Sequence, residues 1–549
     1  MQRDPGRMAQ THFDVLFIGG GITGATAAYD AALRGLKVAL IDKKDFGWAT
    51  SAATSKLVHG GLRYLQNLEF GLVRESLRER RTLEQIAPHL VLPAPFLVPT
   101  YRGSKNNLPL MFAGMLLYDL LSFDKARLDD PARKLPHFQV YSKQRVLREE
   151  PGIDPNKLTG GTLYYDCQMH NPERLTLEFV LGATAAGAQA ANYTEAVELL
   201  TEHNRVVGAK VRDLLDDSVH QIKADVVVNV AGPWADIVSG MVLGEAKKGL
   251  IRSQGIHLVF RKVVNNRAVV LRTLGGRHFF LIPWRGKTLA GTTDDIYKGE
   301  PDAYRVTRAA AQRFLTEINE VYPSAKVTLD EVTWTFGGLR PIVEEETDVE
   351  VEVYDASRKY EIFDHADADK LEGFITVIGG KYTTSRNLAQ QLVDMVAGKI
   401  GRTGLSCVTA QRPLPGGNIG LWTDFVALGK KENCDVDPAM IEQMSLDYGS
   451  LRDHVLQRMT DPDLAARLDE RHAIPAATVA VAVEQEMAMT LEDALWRRTA
   501  LGNTGELSDD AVAKAAAICA DRLGWDDARK QREIDHALEL LRTRNMIDG

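Results

Sequence analysis

Over the first fifty residues the hydrophobic positions change period twice. Residues 13–18, FDVLFI, form an apolar run that meets a glycine cluster, and the next segment sets Ala25, Ala28 and Ala32 on one face at helical spacing. A second apolar run, 38–41, ends at Asp42. The order predicts strand, glycine turn, helix, strand, the unit that opens a doubly wound parallel sheet. In the middle of the chain, strand-like runs alternate with turns: VVVNVAGPW at 226–234, HFFLIPW at 278–284 and GFITVIGGK at 373–381. More than one sheet is expected. RPLPGG at 412–417 reads as a linker. Beyond it, VDPAMIEQM, MTLEDALWRRTALG and REIDHALELLRTR carry helical periodicity with almost no strand signal, so a separate helical domain is expected over 410–549.

With 549 residues, 45% of them hydrophobic and 26% charged, the chain has the composition of a large globular protein. Its net charge of −8 argues against a general grip on nucleic acid, so any anionic substrate must be held by local cations. The four cysteines, Cys167, Cys407, Cys434 and Cys519, are far apart and form no CxxC or Cys/His cluster. Neither a disulfide framework nor a metal site is expected, and a reducing compartment is the natural reading. The N-terminus lacks the apolar core of a signal peptide and the amphipathic pattern of a transit peptide. The charge-free stretch at 106–118, NNLPLMFAGMLLY, is much shorter than the roughly 20 apolar residues that span a bilayer. It suits a helix buried behind Pro109 or one lying on a membrane surface.

Gly19-Gly20-Gly21-Ile22-Thr23-Gly24 satisfies G-x-G-x-x-G between a predicted strand and a predicted helix. Gly19 allows the tight turn, Gly21 lets the backbone approach a pyrophosphate, and Gly24 permits close helix packing, while the helix N-terminus supplies donors. Asp42 at the end of the second strand can accept hydrogen bonds from ribose hydroxyls. The motif predicts dinucleotide binding without choosing between FAD and NAD. Residues 49–65, ATSAATSKLVHGGLRYL, continue with small and hydroxyl residues and a glycine pair flanked by His59 and Arg63. Here the chain resembles the FAD-dependent glycerol-3-phosphate dehydrogenase family. Matching features recur at NVAGPW (229–234), IPW (282–284), GTTD (291–294), GGLRP (337–341), GGKYTT (379–384), PLPGG and DALWRRT (493–499).

The resemblance implies an α/β fold: a glutathione-reductase-like Rossmann domain binding FAD, interleaved with a β-sheet substrate cap like that of D-amino-acid oxidase and glycine oxidase, plus a C-terminal all-α domain. The core would span 12–405, with FAD-domain segments near 12–98, 156–250 and 345–405 and cap segments near 99–155 and 251–344. The implied reaction is oxidation of sn-glycerol 3-phosphate to dihydroxyacetone phosphate by hydride transfer to flavin N5, with electrons passed to membrane quinone. The implied setting is the cytoplasm, peripherally at the inner face of the cell membrane, with a homodimer as one arrangement. The alternative is a glycerol-3-phosphate oxidase that makes hydrogen peroxide. A non-catalytic dinucleotide-fold binding protein is a third reading, and it would need neither histidines nor phosphate-binding cations. The EF-hands of the mitochondrial relatives are not matched, since DHADADKLEG near Asp364 lacks the ligand spacing of that loop.

A phosphate dianion calls for fixed positive donors, and arginine's planar fork grips two oxygens at once, each charge-assisted bond contributing roughly 1.5 to 3 kcal/mol. Arg63 with its neighbour Tyr64, Arg340 and Arg358 fall in segments that resemble the family's substrate-binding ones, and Lys381 matches its active-site lysine. Oxidation at C2 needs a base for the hydroxyl proton, and histidine suits proton transfer near neutral pH. His59 is the first choice; its spacing from Lys56 and Arg63 would place all three on one face of a helical turn. His257 matches a second histidine of the family's site and can orient the hydroxyl. Flavin contacts are expected from Gly19, Gly21, Gly24, Asp42, Ser51, Ser55, Val197, Gly232, Gly380 and Lys381.

Overall fold

The computed structural model describes residues 1–66, 68–104, 107–244, 250–343 and 360–548, without the side chains of Arg63 and Gln66. Strand His12–Ile18 runs parallel to Val38–Ile41 on one side and to Val219–Asn229 on the other. Gln189–Ala191 and Phe374–Gly379 extend the sheet in the same sense, and Tyr360–Asp364 adds an antiparallel edge. The apolar runs seen in the sequence are thus neighbours in a sheet buried on both faces, which is why they read as continuous rather than alternating. Helices Ile22–Leu33, Pro172–Ala185 and Ser385–Lys399 pack on one face through Ala25, Ala28, Phe179 and Leu392. The antiparallel pair Thr194–Glu202 and Arg205–Asp213 covers the other with helix Ala235–Leu243.

A second sheet, of ten strands among the described residues, forms the cap. Its longest pairings are Val91–Tyr101 with Leu158–Met169 and Leu250–Phe260 with Val332–Val343, both antiparallel. The adjacent residues Phe96 and Leu97, and likewise Leu281 and Ile282, belong to different apolar clusters, the alternation of a sheet buried on both sides. Helix Leu108–Leu121, capped by Asn107, turns Met111, Met115 and Tyr118 inward and leaves Leu110, Phe112, Leu116 and Leu120 exposed. It has the features of both sequence readings, buried on one side and open on the other. Among the described residues no helix is long and apolar enough to cross a membrane.

The C-terminal region is helical and shares one apolar cluster with the cap, where the rings of Trp334 and Trp496 lie 5.5 Å apart. The segment 412–417 does not behave as a free linker. Leu414 is buried and donates to the Ile86 carbonyl at 2.8 Å, and a Cβ on Gly417 would sit 2.1 Å from that same oxygen. Its glycines answer a close backbone approach, not a need for slack.

Candidate active site

The glycine turn is built as a cradle. Gly19 has φ +117°, and a Cβ there would lie 2.5 Å from the Val230 carbonyl oxygen; one on Gly24 would lie 1.9 Å from the Gly19 oxygen. Gly24 therefore fixes helix to strand, whereas Gly19 and Gly21 line a cavity of about 500 Å³. Gly21 caps helix Ile22–Leu33 with no side-chain acceptor, and the Ile22 N–H donates to Ser51 Oγ at 2.9 Å. Asp42 accepts from the backbone of Gly20 (2.7 Å) and Lys44 (2.9 Å) and from Trp48 Nε1 (3.2 Å). Burial pushes its carboxyl up to about 6; those donors draw it down, and Asp45 nearby works against them.

The same cavity reaches the cap sheet. Arg340, on strand Val332–Val343 opposite Ser253, donates to Thr292 Oγ1 (2.8 Å) and Ser253 Oγ (3.2 Å) and lies 3.4 Å from Asp294. Its guanidinium crosses Gly255, where a Cβ would sit 2.0 Å from Nη2. His257, buried and stacked 4.8 Å from the Phe336 ring, meets Ser55 Oγ through Nε2 at 2.9 Å. Burial, then Arg340 and Lys56, hold its imidazole well below the usual histidine range, so it is neutral and weakly basic. Gly291 is its counterpart on the neighbouring strand, because a Cβ there would strike the imidazole. His59 is half-buried in the cavity wall, its backbone N–H donating to Thr383 Oγ1 at 3.3 Å. Lys381 Nζ stands 3.5 Å from the centroid of the Tyr64 ring.

The cavity wall thus brings together Gly19, Gly21, Asp42, Ser51, Ser55, His59, Tyr64, Gly232, His257, Arg340, Gly380 and Lys381. Val197 stands apart: the residue is 39% exposed at a bulge, and the wall takes Thr194, Glu195 and Ala196 from that strand. The side chain of Arg63, and Arg358 entirely, lie outside the described residues. The shared helical face for Lys56, His59 and Arg63 is not formed. Lys56 has φ +55°, Leu57–Val58 is a strand, and a helix starts only at Leu62. The Lys56 ammonium instead turns into the core, 3.1 Å from Glu173 and over the rings of Trp284 and Phe336.

Sequence reading missed Trp48, Trp234, Thr292 and Phe280, which also line the cavity. Trp48 and Trp234 pair at 5.3 Å, and Trp234 Nε1 donates to Asp302 of the cap at 3.1 Å. NVAGPW and GTTD were the signals that could have supplied Trp234 and Thr292.

The cradle, the acidic residue after the second strand and the cavity that joins them to the cap fit FAD. Residues 14–386 match the family described as FAD dependent oxidoreductase, and residues 407–530 match the C-terminal domain of alpha-glycerophosphate oxidase. A glycerol-3-phosphate dehydrogenase of Synechocystis sp. is 35% identical, the alignment covering 97% of this chain and 96% of that one. The crystal structure of the glycerol-3-phosphate dehydrogenase from Bacillus halodurans complexed with FAD superposes with a TM-score of 0.80 at 29% identity, covering 98% and 96% of the two chains. Glycine oxidase from Geobacillus kaustophilus shares the fold, with a TM-score of 0.51 at 17% identity over 73% of this chain and 98% of its own. The cofactor is FAD, and the chain belongs to the FAD-dependent glycerol-3-phosphate dehydrogenase family.

Proposed function

We propose that this enzyme oxidises sn-glycerol 3-phosphate at C2 to dihydroxyacetone phosphate and delivers the electrons to a membrane quinone. The observation that carries the reading is that Arg340, Lys381, His59 and His257 meet in the cavity that begins at the dinucleotide cradle. When bound, FAD supplies a two-electron acceptor. Arg340 presents its fork, set by Thr292, Ser253 and Asp294, to the phosphate. Lys381, steered by the Tyr64 ring, adds a second positive charge. Of the two histidines in the wall, His59 takes the C2 hydroxyl proton, whereas His257, made a weak base by burial and by Arg340 and Lys56, orients the hydroxyl. Arg63 and Arg358 belong to the same reading as further phosphate ligands, and Val197 as a cofactor contact.

For the second half-reaction the exposed face of helix Leu108–Leu121, continued by Phe123, is proposed to rest on the cytoplasmic face of the membrane. Met111, on the inner face of that helix, lines the cavity. The match of 407–530 to the C-terminal domain of alpha-glycerophosphate oxidase favours a second reading, in which oxygen is the acceptor. Anaerobic titration of the yellow protein with glycerol 3-phosphate tests the first half: the flavin band should bleach, and its persistence would end the substrate reading. Reoxidation by a soluble quinone faster than by oxygen supports the quinone reading; rapid oxygen consumption with peroxide formation supports the other.

A further inference from the structure

The DALWRRT segment near the C-terminus lies outside the cavity, yet its arginines reach the dinucleotide site from behind. Asp493–Arg498 is a single π-helical turn, a wide turn that often marks a functional position. It sends two consecutive arginines to one carboxylate. Asp45 accepts from Arg497 Nε (2.8 Å), Arg498 Nη1 (2.6 Å), Arg498 Nη2 (2.9 Å) and Asn192 Nδ2 (3.0 Å). Asp45 is fully buried and Arg498 is 1% exposed. Burial opposes the ionisation of Asp45, but Arg498 and Arg497 outweigh it and keep the carboxyl below the usual range. Arg498 is itself fixed by the Glu486 carbonyl at 3.0 Å, and Arg497 by Glu492 at 2.7 Å.

What Asp45 holds in place is the outer wall of the cradle. It lies between Asp42, whose carboxylate accepts from Gly20, and Gly47, whose N–H donates to the Gly20 carbonyl at 3.0 Å. Phe46 fills the space beneath Gly20, where a Cβ would meet its ring at 2.5 Å. The other wall is tied to the same anchor. Asn192 donates to the Met487 carbonyl at 2.9 Å and Tyr193 to Asp493 at 2.7 Å, while the Tyr193 and Thr194 N–H groups pair with the Lys44 and Asp42 carbonyls. Asp42, Trp48, Thr194 and Ala196 all line the cavity.

We propose that Arg497 and Arg498 are positioning residues for FAD: by clamping Asp45 from the C-terminal domain they set the walls around the dinucleotide turn, so that cofactor affinity depends on that domain. The inference rests on the FAD assignment and not on the substrate or acceptor reading. The test is FAD titration of the full-length deflavo-proteins, followed by flavin fluorescence quenching, for wild type, Asp45→Asn, Arg498→Met and Arg498→Lys. Thermal midpoints of the apo forms and KM for glycerol 3-phosphate at saturating FAD are measured beside it. Asp447→Asn serves as the control, because it severs an equally buried C-terminal contact, to Arg285 at 3.1 Å, on the cap side. Asp45→Asn and Arg498→Met should weaken FAD binding by about tenfold or more, Arg498→Lys should fall between, and KM should stay within about twofold. Wild-type affinity in Asp45→Asn would overturn the proposal. So would an equal loss in the Asp447→Asn control, which would make the effect one of domain contact in general. Should Arg498→Met not fold, the near-isosteric Asp45→Asn and the charge-keeping Arg498→Lys decide it.

Discussion

At the scale of single residues, Arg340 in the cavity wall and Glu84 in the core put ionisable groups to opposite uses. Arg340 is oriented by neutral hydroxyls and one carboxylate, so its fork keeps a fixed plane toward the cavity. Arg340→Lys keeps the charge and loses that plane. It should lower kcat/KM for glycerol 3-phosphate by a factor on the order of 10 to 100, about 1.5 to 3 kcal/mol, with FAD content unchanged. Steady-state kinetics beside the flavin-to-protein absorbance ratio checks this. Glu84 is the opposite case, a buried carboxylic acid remote from the chemistry. Burial pushes it up to about 7, Arg80 drawing it down and Asp166 pushing it further up. Because its folded value lies above its ordinary 4.5, its contribution to stability is fully present below that pH and is lost as pH rises through 7. Against Glu84→Gln, which does not titrate, wild type should lose about 3 kcal/mol between pH 4.5 and 8, read from urea midpoints. A pH-independent difference would mean that Glu84 does not titrate in that window.

At the scale of elements, the sequence was legible where structure is local and opaque where strands from distant segments meet. The turn 19–24 and Asp42 declare themselves because one helix and two strands contain them, and HFFLIPW is the strand His278–Trp284. The substrate side needs pairings that periodicity does not encode. Arg340 depends on Gly255 and Thr292, and His257 on Gly291 and Ser55: strand register brings in the two glycines, and loops from distant segments bring in the two hydroxyls. Helical spacing misled at Lys56 for the same reason: the intervening Leu57–Val58 pairs with Gln168 and Cys167 in the cap sheet. Helix Leu108–Leu121 shows how one element carries two signals, since its apolar residues outnumber what one face can bury. Leu120 is 63% exposed and Phe123, just beyond, 64%. Burying such a side chain in lipid contributes roughly 1.5 to 3 kcal/mol each. Replacing Leu116, Leu120 and Phe123 together by serine should therefore reduce binding to anionic vesicles at least about tenfold. Turnover with a soluble acceptor should persist; undiminished flotation with the vesicles would refute the docking face.

At the scale of the whole molecule, the question is whether the catalytic core and the C-terminal helices are one cooperative unit. Their boundary is not a thin polar seam. One apolar cluster contains Phe96, Trp284 and Trp334 of the cap together with Val479, Trp496 and Val512 of the helical region. Buried ionic contacts cross beside it, from Asp45 to Arg498 and from Asp447 to Arg285. Opening the helical region alone would expose to water the apolar surface that Phe96, Trp284 and Trp334 bury against it, so the two parts open together. The chain should consequently unfold in a single calorimetric transition despite its length. FAD, bound at a cradle whose walls both parts hold, should move that transition upward as a whole, by about 2.7 kcal/mol of stabilisation at a free concentration 100 times its Kd. Differential scanning calorimetry of the apo and FAD-saturated protein separates the cases. Two transitions, of which only the first responds to FAD, would mean that the helical region folds independently and that its contacts with the core contribute little.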